Sequence, residues 1–138
     1  KELLNRVVEE LIKEKLKNEK INEYNITLDI DEYKNYESNF FERRNLTKDQ
    51  FIKILKKNNL DYQSFKQYLE NEILWQKLIG ALFYRLTSAS DIEIDDILSK
   101  NPSMSVERAE NNVIQRQLDL KGNKLLRDML NEATVEYK

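Results

Sequence analysis

Apolar positions recur at helical intervals almost from the first residue. Leu3, Leu4, Val7, Val8, Leu11, Ile12 and Leu16 follow i, i+3, i+4, i+7 spacing. This predicts an amphipathic helix of about six turns, ending near Glu23. The positions between them carry Glu9, Glu10, Lys13, Glu14 and Lys17, a mixed-sign face suited to water. Residues 25–28 read as a short extended link. Asp29, with Glu32 three residues on, has the form of a capping box. Ile30, Tyr33, Tyr36, Phe40 and Phe41 carry a second helix to about Arg44. Thr47 with Gln50 opens a third helix through Phe51, Ile52, Ile54 and Leu55, which Asn58-Asn59 closes. Asp61 caps a fourth helix from Tyr62 to about Leu86, roughly 37 Å long. That helix is apolar around most of its circumference, so it is expected to be central or to hold something on a second face. Ser90 with Glu93 caps a fifth helix, Asp91 to Ser99. After Asn101-Pro102-Ser103-Met104-Ser105, a long helix is predicted from Val106 to about Ala133, kinked or broken at Gly122. Thr134-Val135-Glu136-Tyr137 alternates as a short terminal strand would.

The predicted fold class is therefore all-α: a bundle of five helices plus a long C-terminal helix packing back, with one short terminal strand as its extended element. Composition agrees. With 2 Gly and 1 Pro in 138 residues, the chain lacks the breakers that an all-β sandwich needs. Lys and Arg number 23 and Asp and Glu 25, for a net charge of −2, which is not the electrostatic footprint of a nucleic-acid binder. No apolar run has the length of a membrane span. No signal-peptide pattern opens the chain, and Lys1-Glu2-Leu3-Leu4 already read as helix, as in a mature or trimmed chain.

His and Cys are both absent. Their absence excludes Cys/His zinc sites, Ser-His and Cys-His nucleophilic pairs, and disulfides. Two carboxylate clusters remain, Asp29/Asp31/Glu32 and Asp91/Glu93/Asp95/Asp96. The second has alternating acids that a hard cation could use, but it lacks the glycine and closing glutamate of an EF-hand loop. Acids at a helix start suit the macrodipole without any metal. No catalytic residue, metal or cofactor is expected. Arg43-Arg44 and Lys56-Lys57 likewise suit helix C-termini. Most aromatic residues belong to a core. Phe40, Phe41, Trp75 and Tyr84 fall off the main stripes of their helices and are expected to line an apolar groove.

Several strings share an order and spacing with a known family. They are Val8-Glu9-Glu10-Leu11-Ile12, Ile26-Thr27-Leu28-Asp29, Asn45-Leu46-Thr47-Lys48-Asp49-Gln50-Phe51 and Leu60-Asp61-Tyr62-Gln63-Ser64-Phe65, with Arg85-Leu86-Thr87 where the family ends its long helix. From Leu3 to Leu98 the chain resembles the N-terminal region of the SurA-like periplasmic chaperones, which carry peptidyl-prolyl isomerase domains. Arg108 to Tyr137 resembles their C-terminal helix, which folds back onto that region, and Glu132–Tyr137 falls where the family ends in a short strand.

The resemblance implies a chaperone region over residues 1–99. A linker, 100–105, would lie where one or two parvulin-type domains usually sit, and a helix over 106–138 would complete the same domain. Parvulin domains use histidines and a Gly-rich segment that this chain lacks, so no isomerase activity is implied. The implied function is that of an ATP-independent periplasmic holdase for unfolded outer-membrane proteins or extended peptides. The family's earlier strands have no counterpart here, so the terminal strand would pair with a second copy in a domain-swapped homodimer. Two other readings stand beside this one: a helical module docking one specific partner, and an isomerase-family member without activity.

Overall fold

A computed structural model of the chain describes the backbone of residues 1–136 and the side chains of residues 1–133. The fold is all-α. Its helices are α1 (Glu2–Glu23), α2 (Ile30–Arg43), α3 (Lys48–Lys57), α4 (Tyr62–Phe83), α5 (Asp91–Lys100) and α6 (Val106–Glu136), and a 3-10 turn, Tyr84–Leu86, extends α4.

The starts follow the caps. Thr47 and Ser90 each complete a capping box, with Gln50 and Glu93 respectively. Asp29 accepts from the Glu32 N–H at 2.8 Å and Asp61 from the Ser64 N–H at 2.7 Å. Ser105 accepts from the Arg108 N–H at 3.1 Å and opens α6.

The ends of α1, α2 and α3 share one device. Asn25, Asn45 and Asn59 sit at φ of 54°, 51° and 59°, in the left-handed region. The N–H of the following Ile26, Leu46 or Leu60 donates to the carbonyl of Ile21, Phe41 or Leu55, while the Asn N–H donates to Asn22, Glu42 or Lys56. This is the Schellman pattern, with Asn in place of the usual Gly. It explains how a chain with two glycines makes three tight helix ends. Asn45→Ala is expected to cost about 1 kcal/mol of unfolding free energy, because alanine bears the full left-handed penalty, and Asn45→Gly is expected to be neutral or stabilising. Urea midpoints of the three proteins check this.

The chain divides into two compact units, one of residues Ile21–Lys77 and one of Lys1–Lys20 with the chain from Leu78 onward. The division passes through α1 and α4 and not through the connection at 100–105. In the first unit, Tyr33, Leu69 and Ile73 form the core, with Leu28, Phe40 and Phe65 packed against it. In the second unit, Leu78 is 0 % exposed, and Ile79, Ala109, Val113 and Leu118 are buried. There α5 packs on α6. Gln117 of α6 clamps Ser88, accepting from its N–H at 3.0 Å and donating to its carbonyl at 2.6 Å.

Two expectations need correction. Thr134 to Glu136 continue α6 and form no strand, and Tyr137 lies outside the described residues. A four-residue alternation does not outweigh the i→i−4 hydrogen bonds of a long helix when no partner strand is offered; among the described residues there is no strand at all. Nor does Gly122 break the helix. A Cβ built there would lie 3.1 Å from Ile79 Cγ1, so this glycine lets α6 approach α4 closely.

Candidate functional site

The first unit holds a cavity of about 530 Å3. Its walls come from the 26–29 link, the first two turns of α2, Lys48 at the start of α3, and the N-terminal half of α4. The link is extended because the Schellman end of α1 turns the chain out and Asp29 then caps α2 with φ −87° and ψ 164°. Lys77 holds the link from behind, donating to the Thr27 carbonyl at 2.6 Å and pairing with Glu32 at 2.9 Å.

A hydrogen-bonded chain of three side chains lies along the cavity. The Tyr62 hydroxyl donates to Glu37 Oε2. With that proton committed, the Tyr33 hydroxyl, 3.4 Å away, is the donor to the Tyr62 oxygen. Lys48 Nζ lies 3.8 Å from Glu37 Oε1 and 4.6 Å from the Tyr62 ring centroid. Lys66 Nζ lies 5.5 Å from the Tyr33 ring centroid. Burial acts to raise the Glu37 carboxyl, but the hydroxyls of Tyr62 and Tyr33 and the charges of Lys48 and Lys66 outweigh it. Glu37 is therefore held below the usual carboxylate value. Burial and the Glu37 hydrogen bond push Tyr62 up to about 12, and burial with the same network drives Tyr33 higher still. The sequence gives no local signal for this network, because its members are 25 and 29 residues apart.

The four residues expected to line a groove differ in burial. Phe41 is 7 % exposed and Trp75 7 %, so both rings are sealed in the interior. Phe40 is half-buried, with its ring centroid 5.6 Å from Phe41, 5.8 Å from Phe51 and 5.1 Å from Phe65. The Arg44 guanidinium lies 3.7 Å from its ring centroid. Rings from α2, α3 and the start of α4 converge there, and edge-to-face packing holds them in one cluster. Tyr84 alone stays open, 60 % exposed. Phe40, Phe41 and Trp75 belong to the first unit and Tyr84 to the second, and Phe41 and Trp75 are too deeply buried to line an open groove.

The open apolar surface lies elsewhere. In the second unit, α1 leaves Leu3, Leu4 and Leu11 uncovered at 75 %, 66 % and 66 %, with Val7 and Val8 about half exposed. On the other face, Lys13 pairs with Glu9 and Glu10 at 3.4 and 3.2 Å.

The acidic clusters are used as caps: Asp29 and Glu93 both hold helix starts. Among the described residues, no group of three or more acidic side chains is placed to hold a metal ion. Among the same residues, no helix is long and apolar enough to cross a membrane. Comparison of the chain with protein-family models, with curated proteins and with solved structures finds no match in any of the three.

Proposed function

We propose that the chain is the core of an ATP-independent, SurA-like periplasmic chaperone, a holdase that shelters unfolded outer-membrane proteins. The observation that carries this reading is the uncovered stripe of α1, where five consecutive stripe positions from Leu3 to Leu11 face water. Apolar contact is non-directional, so such a face accepts many sequences and needs no chemical step to release them. Ordering a disordered client costs entropy, so binding is weak per contact and reversible. The groove residues in this proposal are those of α1, with Tyr84, and not the sealed rings of Phe41 and Trp75.

Aggregation of several unrelated unfolded outer-membrane proteins, followed by light scattering, tests the proposal. The chain is expected to suppress it. The double variant Leu4→Lys/Leu11→Lys, at two positions that are 66 % exposed, is expected to lose at least about tenfold in client affinity with an unchanged circular dichroism spectrum. Failure to suppress aggregation of any client overturns the proposal. The regular spacing of Leu4, Val7, Val8 and Leu11 on one helix also fits a single complementary groove, the mode of a module with one partner. Saturable binding to one folded protein, with no effect on unfolded ones, favours that second reading.

A further inference from the structure

The C-terminal end of α2 carries a second, smaller cavity of about 170 Å3. It lies between two i, i+4 rows on one helix, Tyr36-Phe40-Arg44 and Asn39-Arg43, and no carboxylate lines it. Of the α2 acids, Glu32 pairs with Lys77, Glu37 is taken by Tyr62 and Lys48, and Glu42 lies about 100° around the helix from Arg43. The two arginines are not equivalent. Arg44 serves the helix end: its Nη1 donates to the Phe40 carbonyl at 3.1 Å, and its guanidinium lies 3.7 Å from the Phe40 ring centroid. The Phe41 and Glu42 carbonyls accept from the N–H groups of Arg44, Asn45 and Leu46. Arg43 makes no capping hydrogen bond. Among the described residues, the Arg43 guanidinium, the Asn39 amide and the Tyr36 hydroxyl make no hydrogen bond or ion pair. Helix-end chemistry therefore accounts for Arg44 and leaves Arg43 over. The Phe40 contacts fix one guanidinium in place, and Arg43 adds a second with all five donors open.

We infer that this cavity is a subsite for a dianionic phosphoryl group, held between the guanidinium groups of Arg43 and Arg44 with Asn39 and Tyr36 as further donors. Two positive charges without a counter-charge in the lining match a dianion better than a single carboxylate. A planar guanidinium fork fits phosphate oxygens, and three acceptor oxygens use donors that the two of a carboxylate leave unpaired. A volume of about 170 Å3 is below that of sites that enclose a drug-sized ligand, so the cavity takes the charged group and leaves the rest of a phosphate monoester outside. The inference does not rest on the client-binding reading, which concerns α1 and Tyr84. A soluble monoester and a phosphomonoester lipid share this chemistry, and the test separates them.

The test uses the full chain at low salt. Phenyl phosphate, sulfate and acetate are titrated against the NMR signals of the arginine guanidinium carbons, and co-sedimentation follows binding to vesicles containing phosphatidic acid. At about pH 7.5, phenyl phosphate is expected to shift the Arg43 and Arg44 signals saturably and to bind at least about tenfold tighter than acetate. At about pH 5, below the second phosphate ionisation near 6, its affinity is expected to fall about threefold or more. Sulfate, a dianion at both pH values, is expected to hold its affinity. Arg43→Gln is expected to weaken phenyl phosphate at least about tenfold with an unchanged circular dichroism spectrum, because Arg43 is exposed and holds no other group. Arg85→Gln, in the second unit, is expected to leave binding unchanged. Equal binding of acetate, or a phenyl phosphate affinity that is the same at both pH values, overturns the assignment to a dianion. Affinity kept in Arg43→Gln, or lost equally in Arg85→Gln, overturns the assignment to this cavity. Binding to the vesicles alone, lost in Arg43→Gln, supports the inference with a lipid headgroup as the source. No response to any of the four probes overturns the inference and leaves the chaperone reading standing.

Discussion

Phe41→Ala is expected to lower the free energy of unfolding by about 3–5 kcal/mol, the range for removing a buried phenyl ring and leaving a cavity. The ring is 7 % exposed and packs at 5.6 Å from Phe40 and 5.5 Å from Phe51, centroid to centroid. Its loss removes both the transfer free energy of the side chain and the edge-to-face contacts. Tyr84→Ala, at a residue 60 % exposed, is expected to change stability by no more than about 0.5 kcal/mol. Chemical denaturation of the two variants separates a core role from a client-contact role at positions that sequence periodicity treats alike. A Phe41→Ala protein that keeps its stability but loses client binding would return Phe41 to the groove.

That contrast marks where sequence reading ends. Helix starts are local events. A side-chain oxygen at the N-cap meets an N–H three residues on, so Thr47, Asp61 and Ser90 announce α3, α4 and α5 without help from the rest of the chain. Helix ends carry a local signal too. The pair Asn-apolar recurs at Asn25-Ile26, Asn45-Leu46 and Asn59-Leu60, and in each the Asn takes the left-handed conformation. Burial is different. Whether Phe40, Phe41 and Trp75 face water depends on which helices lie beside them, and angular position on one helix does not carry that information. The α1 stripe shows the converse. Leu3, Leu4 and Leu11 have the spacing of core residues, yet they stay open because no other described part of the chain covers them. Gly122 has a third cause: its low helix propensity predicts a weak point, and close packing against Ile79 outweighs propensity. The Tyr33–Tyr62–Glu37 network could not be read at all, since long-range pairing leaves no periodic trace.

That network sets the remaining large effect. Glu37→Ala is expected to cost about 1–3 kcal/mol, because it strips the Tyr62 hydroxyl of its acceptor at a site where Glu37 itself is only 15 % exposed. Glu37→Leu/Tyr62→Phe, which removes both partners, is expected to recover only part of that loss, because the apolar pair leaves no orphan between these two positions but the Tyr33 hydroxyl then loses its acceptor. The pH dependence follows from two opposite shifts. Glu37 is held below its unfolded value, so its contribution is present at neutral pH and is lost as pH falls below the ordinary carboxylate range and through the folded value. Tyr62 moves from an ordinary 10.0 to about 12, and Tyr33 moves in the same direction. Between pH 10 and about 12 the folded chain keeps protons that the unfolded chain has released, so stability falls as pH rises through that window. Urea midpoints measured from acid to alkaline pH should therefore decline on both limbs. In Tyr62→Phe the alkaline limb flattens, because one of the two shifted phenols is gone. An alkaline limb of unchanged steepness in Tyr62→Phe would mean that the two hydroxyls and the carboxylate do not act as one chain.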